Sequence, residues 1–322
     1  MIKILARWLA PLLLATLTFA AHAAEPYKPN VLRIGYQKYG TLVLLKARGD
    51  LEKRLAPLGV KVEWTEFSGG VRLLEGLNLG AIDFGTTGDA PPVFAQAAGA
   101  PLLYVGFEPP TPGGIAFVVK KDAPFKSVKD LKGKRVSVNK GGNVHYLLLR
   151  ALEANGLAPT DVEIVYLPPA DARPAFERGA IDAWVIWDPF LAHAEHTAGA
   201  RVIQDGGGLS SNHQFYFASR TLAQQRQEVV EAVLDEIRKI DAYARDNVAK
   251  VAEQLAPEIG MDRAIVETAL KRMGYGVLPL TAEVIASQQR VADTFHKAGL
   301  IPKALNVREA VWVRPVTSTA SR

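Results

Sequence analysis

GAIDFGTTGDAPP (residues 80–92) and GAIDAWVIWDPF (residues 179–190) begin with the same four residues. The match continues past the tetrapeptide. Asp83 is followed six positions later by Asp89, and Asp182 six positions later by Asp188. Each second aspartate stands just ahead of proline and a new apolar segment. Each copy follows a short helical pattern that stops at Gly80 or Gly179. Upstream, IGYQKYGTLVLLKA (34–47) has a counterpart in VNKGGNVHYLLLRA (138–151), with Leu44-Leu45-Lys46-Ala47 falling on Leu148-Leu149-Arg150-Ala151. A strand, a loop and a helix are therefore repeated as a unit, which predicts two similar lobes.

Outward from these copies, strand and helix signals alternate. VLRIGY is a short apolar strand. TLVLLKARGDLEKRLAPLG carries Leu42, Leu45, Leu51 and Leu55 at helical spacing, with Pro57 to Gly59 as a stop. VKVEWTEF alternates, AIDFGTT is a buried strand, APPVFAQAAG a helix and PLLYVGF a strand. Alternation of this kind specifies an α/β fold, with a mostly parallel sheet covered by helices on both faces. A second round runs from GIAFVVKK through RVIQ and QFYFAS. From Thr221 to about Gly299 the pattern is helical only.

In open α/β sheets ligands bind beyond the carboxyl ends of the strands. Four loops reach that edge: GYQKYG and TTGDAPP in the first lobe, NKGGN and IWDP in the second. Each opens a helix, whose first N–H groups lack intrahelical partners and carry partial positive charge, a setting that favours an anion. Gly141 and Gly142 let backbone approach a ligand closely.

The ends of the chain bound its class. Residues 1–23 read as a secretory signal peptide: Lys3 and Arg7, then an apolar run interrupted by Pro11, then Ala21-His22-Ala23 as a cleavage site. The run is short of the roughly 20 residues a membrane-spanning helix needs. There is no cysteine, which excludes thiol catalysis, thiolate metal sites and a lipidated cysteine anchor. The formal charge of +5 becomes 5 − 2 = +3 on cleavage, too mild and dispersed for a nucleic-acid partner. No phosphate-binding GxxxxGK[ST], HExxH or GxSxG motif occurs.

LRIGYQK, LLEGLNLGAIDFGTTGDAPPVFAQAAGAPLLYVGFEPP, SVKDLKGKRVSV, KGGNVHYLLLRALEANGL, LPPADARPAFERGAIDAWVIWDP and LIPKALNVREAVW together resemble the periplasmic aliphatic sulfonate-binding proteins of ABC importers. The likeness runs from about Leu32 to Trp312. It implies a type II periplasmic binding protein fold: two Rossmann-like lobes with mixed sheets and a hinge, and a helical C-terminal region packed on the first lobe. The implied division is 24–114 with 217–322 for the first lobe and 115–216 for the second. The implied function is capture of a small organosulfonate by a monomer, without cofactor, metal or chemistry, and delivery to a membrane permease. Two stretches depart from the family pattern. Lys140-Gly141-Gly142-Asn143-Val144-His145 stands where the family has a serine-rich run, and FSGGVRLLEGL brings in Arg72. Taurine, a sulfate ester or nitrate therefore remain alternative ligands. A lyase on the same fold and a solute sensor are the rival functions, and the missing cysteine removes a desulfinase.

Candidate contacts follow loop by loop. Gln37 and Lys38 are ligand contacts or a solvated loop. Thr87 and Gly88 offer a hydroxyl and an N–H, while Asp89 either caps a helix or meets a ligand amine. Glu108 is an acid beside the first crossover. Gly141, Gly142, Asn143 and Val144 form an expected oxyanion cradle through backbone N–H groups, with His145 as a donor or a cap. Trp187 packs on an alkyl chain or in the core, and Asp188 again caps or contacts. Arg72 and Arg173 are charge complements or solvated. His193 and His196 have helical metal-ligand spacing but no evident third ligand.

Overall fold

The computed structural model describes residues 27–314; the signal-peptide reading lies outside them. The first round contains β1 (Val31–Tyr36), α1 (Leu42–Arg48), α2 (Asp50–Leu55), β2 (Lys61–Glu66), α3 (Gly70–Asn78), β3 (Phe84–Gly88), α4 (Pro91–Ala97) and β4 (Leu102–Phe107). The chain then crosses into β5 (Ile115–Lys120), β6 (Arg135–Val138), α5 (Asn143–Ala154), β7 (Glu163–Tyr166), α6 (Pro169–Glu177), β8 (Ala183–Trp187), α7 (Phe190–Thr197) and β9 (Ala200–Asp205). It returns through β10 (Gln214–Ser219) to α8 (Arg220–Gln225), α9 (Gln227–Asp246), α10 (Val248–Ile259), α11 (Arg263–Lys271) and α12 (Ala282–Lys297).

Two five-stranded sheets result, ordered β2-β1-β3-β10-β4 and β7-β6-β8-β5-β9. They share one topology. In each, three strands are parallel and the fourth is antiparallel to both neighbours. That fourth strand is the one that has just crossed over: β5 leaves the first sheet's chain, and β10 returns to it. QFYFAS, expected to close the second round, is thus a buried strand of the first sheet. Its two faces are apolar because it fills the slot between β3 and β4, with Phe215, Tyr216 and Phe217 all about 1% exposed or less. The long amphipathic stretch after Thr41 is also not one helix. Gly49 takes a left-handed conformation (φ 62°) that ends α1 and starts α2.

The repeated GAID segments build β3 and β8, next to β1 and β6. Their aspartates do the same work twice. Asp83 Oδ2 accepts from the Arg33 backbone N–H (3.1 Å) and Nε (2.9 Å), and Oδ1 from Nη2 (2.8 Å). Asp182 takes the N–H (2.9 Å), Nε (3.1 Å) and Nη2 (3.0 Å) of Arg135 in the same order. In return Asp83 N–H donates to Arg33 O, and Asp182 N–H to Arg135 O. Each lobe thereby locks its central strand to a parallel neighbour, β3 to β1 and β8 to β6, through a bidentate fork, the strongest form of such pairing. The first clamp is buried, with side chains 7% and 3% exposed; the second is at 41% and 25%.

The C-terminal helices complete the first lobe. Residues of α9 and α10 join α1, α2 and β1 in one core, and residues of α12 join α3, α4 and β4 in another. The second sheet has its own cores on its two faces. Among the described residues no helix is long and apolar enough to cross a membrane.

Candidate functional site

The carboxyl ends of β1, β3, β6 and β8 converge on a small cavity of about 40 Å³. Gln37 and Tyr39 come from the first loop, Gly88 and Pro91 from the second, Asn139, Gly142 and Asn143 from the third, and Trp187 from the fourth. All four expected loops contribute. The remaining wall is Gly70 at the start of α3, Gly114, Asn212 and Gln214. One water needs about 10–15 Å³ of such space, so the cavity holds about three water-sized volumes, the scale of an anionic head group.

The polar wall is tied down by two sets of hydrogen bonds. Gln37 Nε2 donates to Thr86 O (3.0 Å), and Gln214 Nε2 to Thr86 Oγ1 (2.8 Å). Asn143 Nδ2 donates to Asn212 Oδ1 (2.6 Å), while Asn212 Nδ2 donates to Thr111 O (2.9 Å). Asn143 begins α5 on the second sheet's side, so this bond ties that helix to the crossover strands. Gly88 lies directly against Asn143: a Cβ on Gly88 would stand 3.2 Å from Asn143 Cβ.

Four segments meet here, but the cradle differs in detail from the expectation. Gly141, left-handed at φ 74°, gives its N–H to His145 Nδ1 (3.2 Å), and Gly142 gives its N–H to Asn139 O (3.2 Å). These two glycines shape the turn rather than offer donors. The donors left at the start of α5 are the N–H groups of Asn143 and Val144, which have no preceding helical turn to serve. The side chain of Val144 is fully buried in the second lobe's core.

Several expected contacts do not reach the cavity. Lys38 is exposed and borders a different hollow, beside Tyr39, Pro189 and Leu270. Thr87 is buried with its hydroxyl on Gly88 O (2.8 Å). Glu108 is buried beneath β10, where the Tyr216 hydroxyl donates to it; burial, and secondarily Asp241, pushes its carboxyl well up. Asp188 is buried and accepts from Ala192 N–H (3.0 Å), which caps α7. It also faces Arg272 Nη1 at 3.4 Å, and Arg272 Nη2 reaches Glu195 (2.7 Å). Burial raises the Asp188 carboxyl to about 6, with Arg272 opposing. Asp89 lines a separate groove instead, where burial raises its carboxyl to about 7 and the backbone N–H groups of Asp89 and Ala90 oppose the rise. Arg72 pairs with Glu75 on an exposed face, and Arg173 lies near His193 (3.3 Å) on the surface. His193 and His196 bond Thr197 and Thr268. Among the described residues no group of three or more His, Cys, Asp or Glu gathers as for a metal.

His145 is buried beneath the cradle, and burial, then Lys140, lowers its pKa to about 4. It is neutral at physiological pH and acts as an acceptor for Gly141. The unfolded chain binds this proton near pH 6.5, while the folded chain resists until about 4. Stability from this group is therefore full above 6.5 and falls as the pH drops between the two values. We expect the wild type to lose about 2 kcal/mol more than His145→Asn between pH 7 and pH 5 in denaturant melts, at about 1.4 kcal/mol per unit. Equal losses in both proteins would contradict this.

Asn212 and Gln214 were not foreseen. They follow the second crossover, and their one sequence signal is the polar run SSNH directly ahead of an apolar strand.

With this geometry in place, the chain can be set beside known proteins. A family model described as NMT1/THI5 like matches residues 56–248. The chain is 44% identical over 302 residues to an aliphatic sulfonates-binding protein of Escherichia coli (strain K12), covering 93% of each. The alkanesulfonate-binding protein SsuA from Xanthomonas axonopodis pv. citri, bound to MOPS, superposes with a TM-score of 0.84 at 42% identity, covering 89% of this chain and 99% of that one. The periplasmic aliphatic sulphonate binding protein SsuA from Escherichia coli gives 0.83 at 42% identity, covering 92% and 96%. Both superpose on the two-sheet fold with its helical C-terminal region described above. The clamp-bearing repeat, the cavity at the four strand tips and these matches agree, and the chain belongs to the NMT1/THI5-like family, alongside the aliphatic sulfonate-binding proteins.

Proposed function

We propose that this protein is a periplasmic solute-binding protein that captures an organosulfonate between its two lobes and presents it to the permease of an ABC importer. The observation that carries the reading is the cavity at the strand tips. It is walled by all four strand-to-helix loops, and α5, twelve residues long, opens onto it with donors and the positive end of its dipole. An anionic head fits that setting without a metal, a cofactor or a catalytic base. The relatives' ligand class, aliphatic sulfonates, supports the choice among anions.

In this reading the first lobe runs to about 114 and resumes at the start of β10, the second lies between, and the two close as a hinge on the ligand. The N-terminal segment directs export and is removed, and the mature protein acts as a monomer. A thermal-shift panel on ligand-stripped protein tests the function, with alkanesulfonates, taurine, a sulfate ester, sulfate and nitrate. A sulfonate at 100 times its Kd should add about 2.7 kcal/mol of stability. A clear shift with nitrate and none with any sulfonate would overturn the ligand class.

A further inference from the structure

Beyond the cavity, α7 and α11 also bring the two lobes together. Val266 and Leu270 of α11 belong to a first-lobe core shared with α9, α10 and β1, while Leu191 and Ala194 of α7 belong to a second-lobe core. Between these cores lies a separate small cluster, Ala192 of α7 with Ile265 and Ala269 of α11, all buried. The contact follows helical spacing on both sides. Asp188, just ahead of α7, falls on one face with Ala192, Glu195 and His196, and Ile265, Thr268, Ala269 and Arg272 fall on one face of α11. At one end His196 Nε2 lies 3.0 Å from Thr268 Oγ1. At the other, Arg272 spans two carboxylates, Asp188 (3.4 Å) and Glu195 (2.7 Å).

Asp188 joins this contact to the cavity. It directly follows Trp187, and its N–H donates to Gly114 O (3.0 Å); Trp187 and Gly114 both line the cavity. Its side chain is only 2% exposed. A carboxylate so buried is costly unless a cation meets it. The charged and titratable groups facing it are Arg272 from α11, Glu195 from α7 and the Tyr39 hydroxyl from the loop after β1. Arg272 is the cation of this set. On the other flank, a groove between α5 and α12 is bridged by Lys297 and Glu153 (2.9 Å), both exposed, and such a pair contributes little.

We propose that α7 and α11 form a clasp that closes with the lobes, and that Arg272 is a positioning residue for ligand capture, because it lets the Asp188 carboxylate be buried beside the head-group cavity. This role rests on sulfonate capture by lobe closure. In the open form Asp188 meets water and needs no partner. Closure removes that water and Arg272 takes its place, while Ala192 covers Ile265 and Ala269. Arg272 touches no ligand. It acts on affinity through the placement of Trp187 and Gly114, and through the charge it cancels.

Titration calorimetry with hexanesulfonate on the mature protein tests the clasp, since a sulfonate stays ionised across the pH range used. Arg272→Gln should weaken binding by at least about tenfold at pH 8. Burial raises the Asp188 carboxyl to about 6 even with Arg272 opposing, and loss of Arg272 raises it further. The variant therefore takes up a proton as it closes, and a protonated Asp188 needs no cation. The ratio of variant to wild-type Kd should accordingly shrink to within about threefold at pH 5. Groups common to both proteins, such as Asp89 and His145, cancel in that ratio. Adding Asp188→Asn to Arg272→Gln should bring the affinity back to within about threefold of wild type at pH 8. Wild-type affinity in Arg272→Gln, a loss that stays constant with pH, or a loss that Asp188→Asn does not relieve would each contradict the clasp. So would a melting temperature lowered equally with and without ligand, which would mean that the contact is made whether or not the ligand is held. A wild type that binds no sulfonate at all would overturn the capture reading instead.

Discussion

Asp83→Ala is expected to lower the unfolding free energy by about 3–5 kcal/mol, whereas Asp182→Ala should lose only about 1–2 kcal/mol. The two aspartates occupy equivalent positions in the repeat and make the same bonds to the neighbouring parallel strand, β1 or β6. Burial separates them. The Arg33 and Asp83 side chains are almost wholly withdrawn from water, so removing the carboxylate takes a bidentate acceptor from a buried guanidinium and cuts the tie between β1 and β3. Arg135 keeps 41% of its side-chain surface, and the solvent takes over much of what Asp182 supplied. Part of the Asp182 effect comes from the Arg135 N–H that it also accepts. Burial of Asp83 should show as a melting temperature lower by on the order of 10 °C. Chemical melts of the two single variants decide the matter. Equal losses would mean that the clamp's value does not depend on burial.

Gly88→Val is expected to weaken sulfonate binding by about 10–100-fold while leaving the ligand-free melting temperature close to wild type. Gly88 is one point where the first lobe touches the second, through Asn143. Its backbone is not left-handed, so a side chain imposes no strain of its own. A valine adds methyl groups beyond a Cβ that already stands 3.2 Å from Asn143 Cβ, and overpacking of that kind costs about 1–3 kcal/mol. With the proposed hinge open in the absence of ligand, the penalty falls on the ligand-held form and appears in affinity rather than in ligand-free stability. Gly88→Ala should give the smaller loss. Binding by Gly88→Val at the wild-type affinity would show that the lobes do not meet at Gly88 when the ligand is held.

How far the sequence carried the structure depends on whether the signal was local. The doubled GAID, the glycines that stop the preceding helices and the alternation of apolar runs are local patterns, and they placed β3, β8 and the four loops of the site. The Arg33–Asp83 bond joins residues fifty positions apart, and nothing in GAID names its partner. A signal did exist: an arginine stands near the start of the strand that opens each copy of the repeat, in VLRIGY and RVSV. The placement of β10 was not legible, because an apolar strand fits either sheet by composition. Only its slot between β3 and β4 distinguishes them. Asn212 and Gln214 entered the site with that strand. The aspartates at the repeat's second position, Asp89 and Asp188, look interchangeable in sequence. They diverge because different neighbours approach: α7 and Arg272 at Asp188, and the crossover loop with Ser210 at Asp89. Gly141 and Gly142 were expected as N–H donors to a ligand, and the acceptors that engage those N–H groups here, His145 Nδ1 and Asn139 O, become visible only once the loop is folded.

The composition of the chain provides a direct measurement of where the head group sits. There is no cysteine, and the only methionines are Met1, Met261 and Met273. A crystal of the mature protein with a sulfonate, measured at long wavelength, therefore has few protein sulfurs to compete with the ligand's. The account predicts an additional anomalous sulfur peak in the strand-tip cavity, its oxygens within hydrogen-bond distance of the N–H groups of Asn143 and Val144. A sulfur peak in the groove between α5 and α12, with no sulfur at the strand tips, would contradict it.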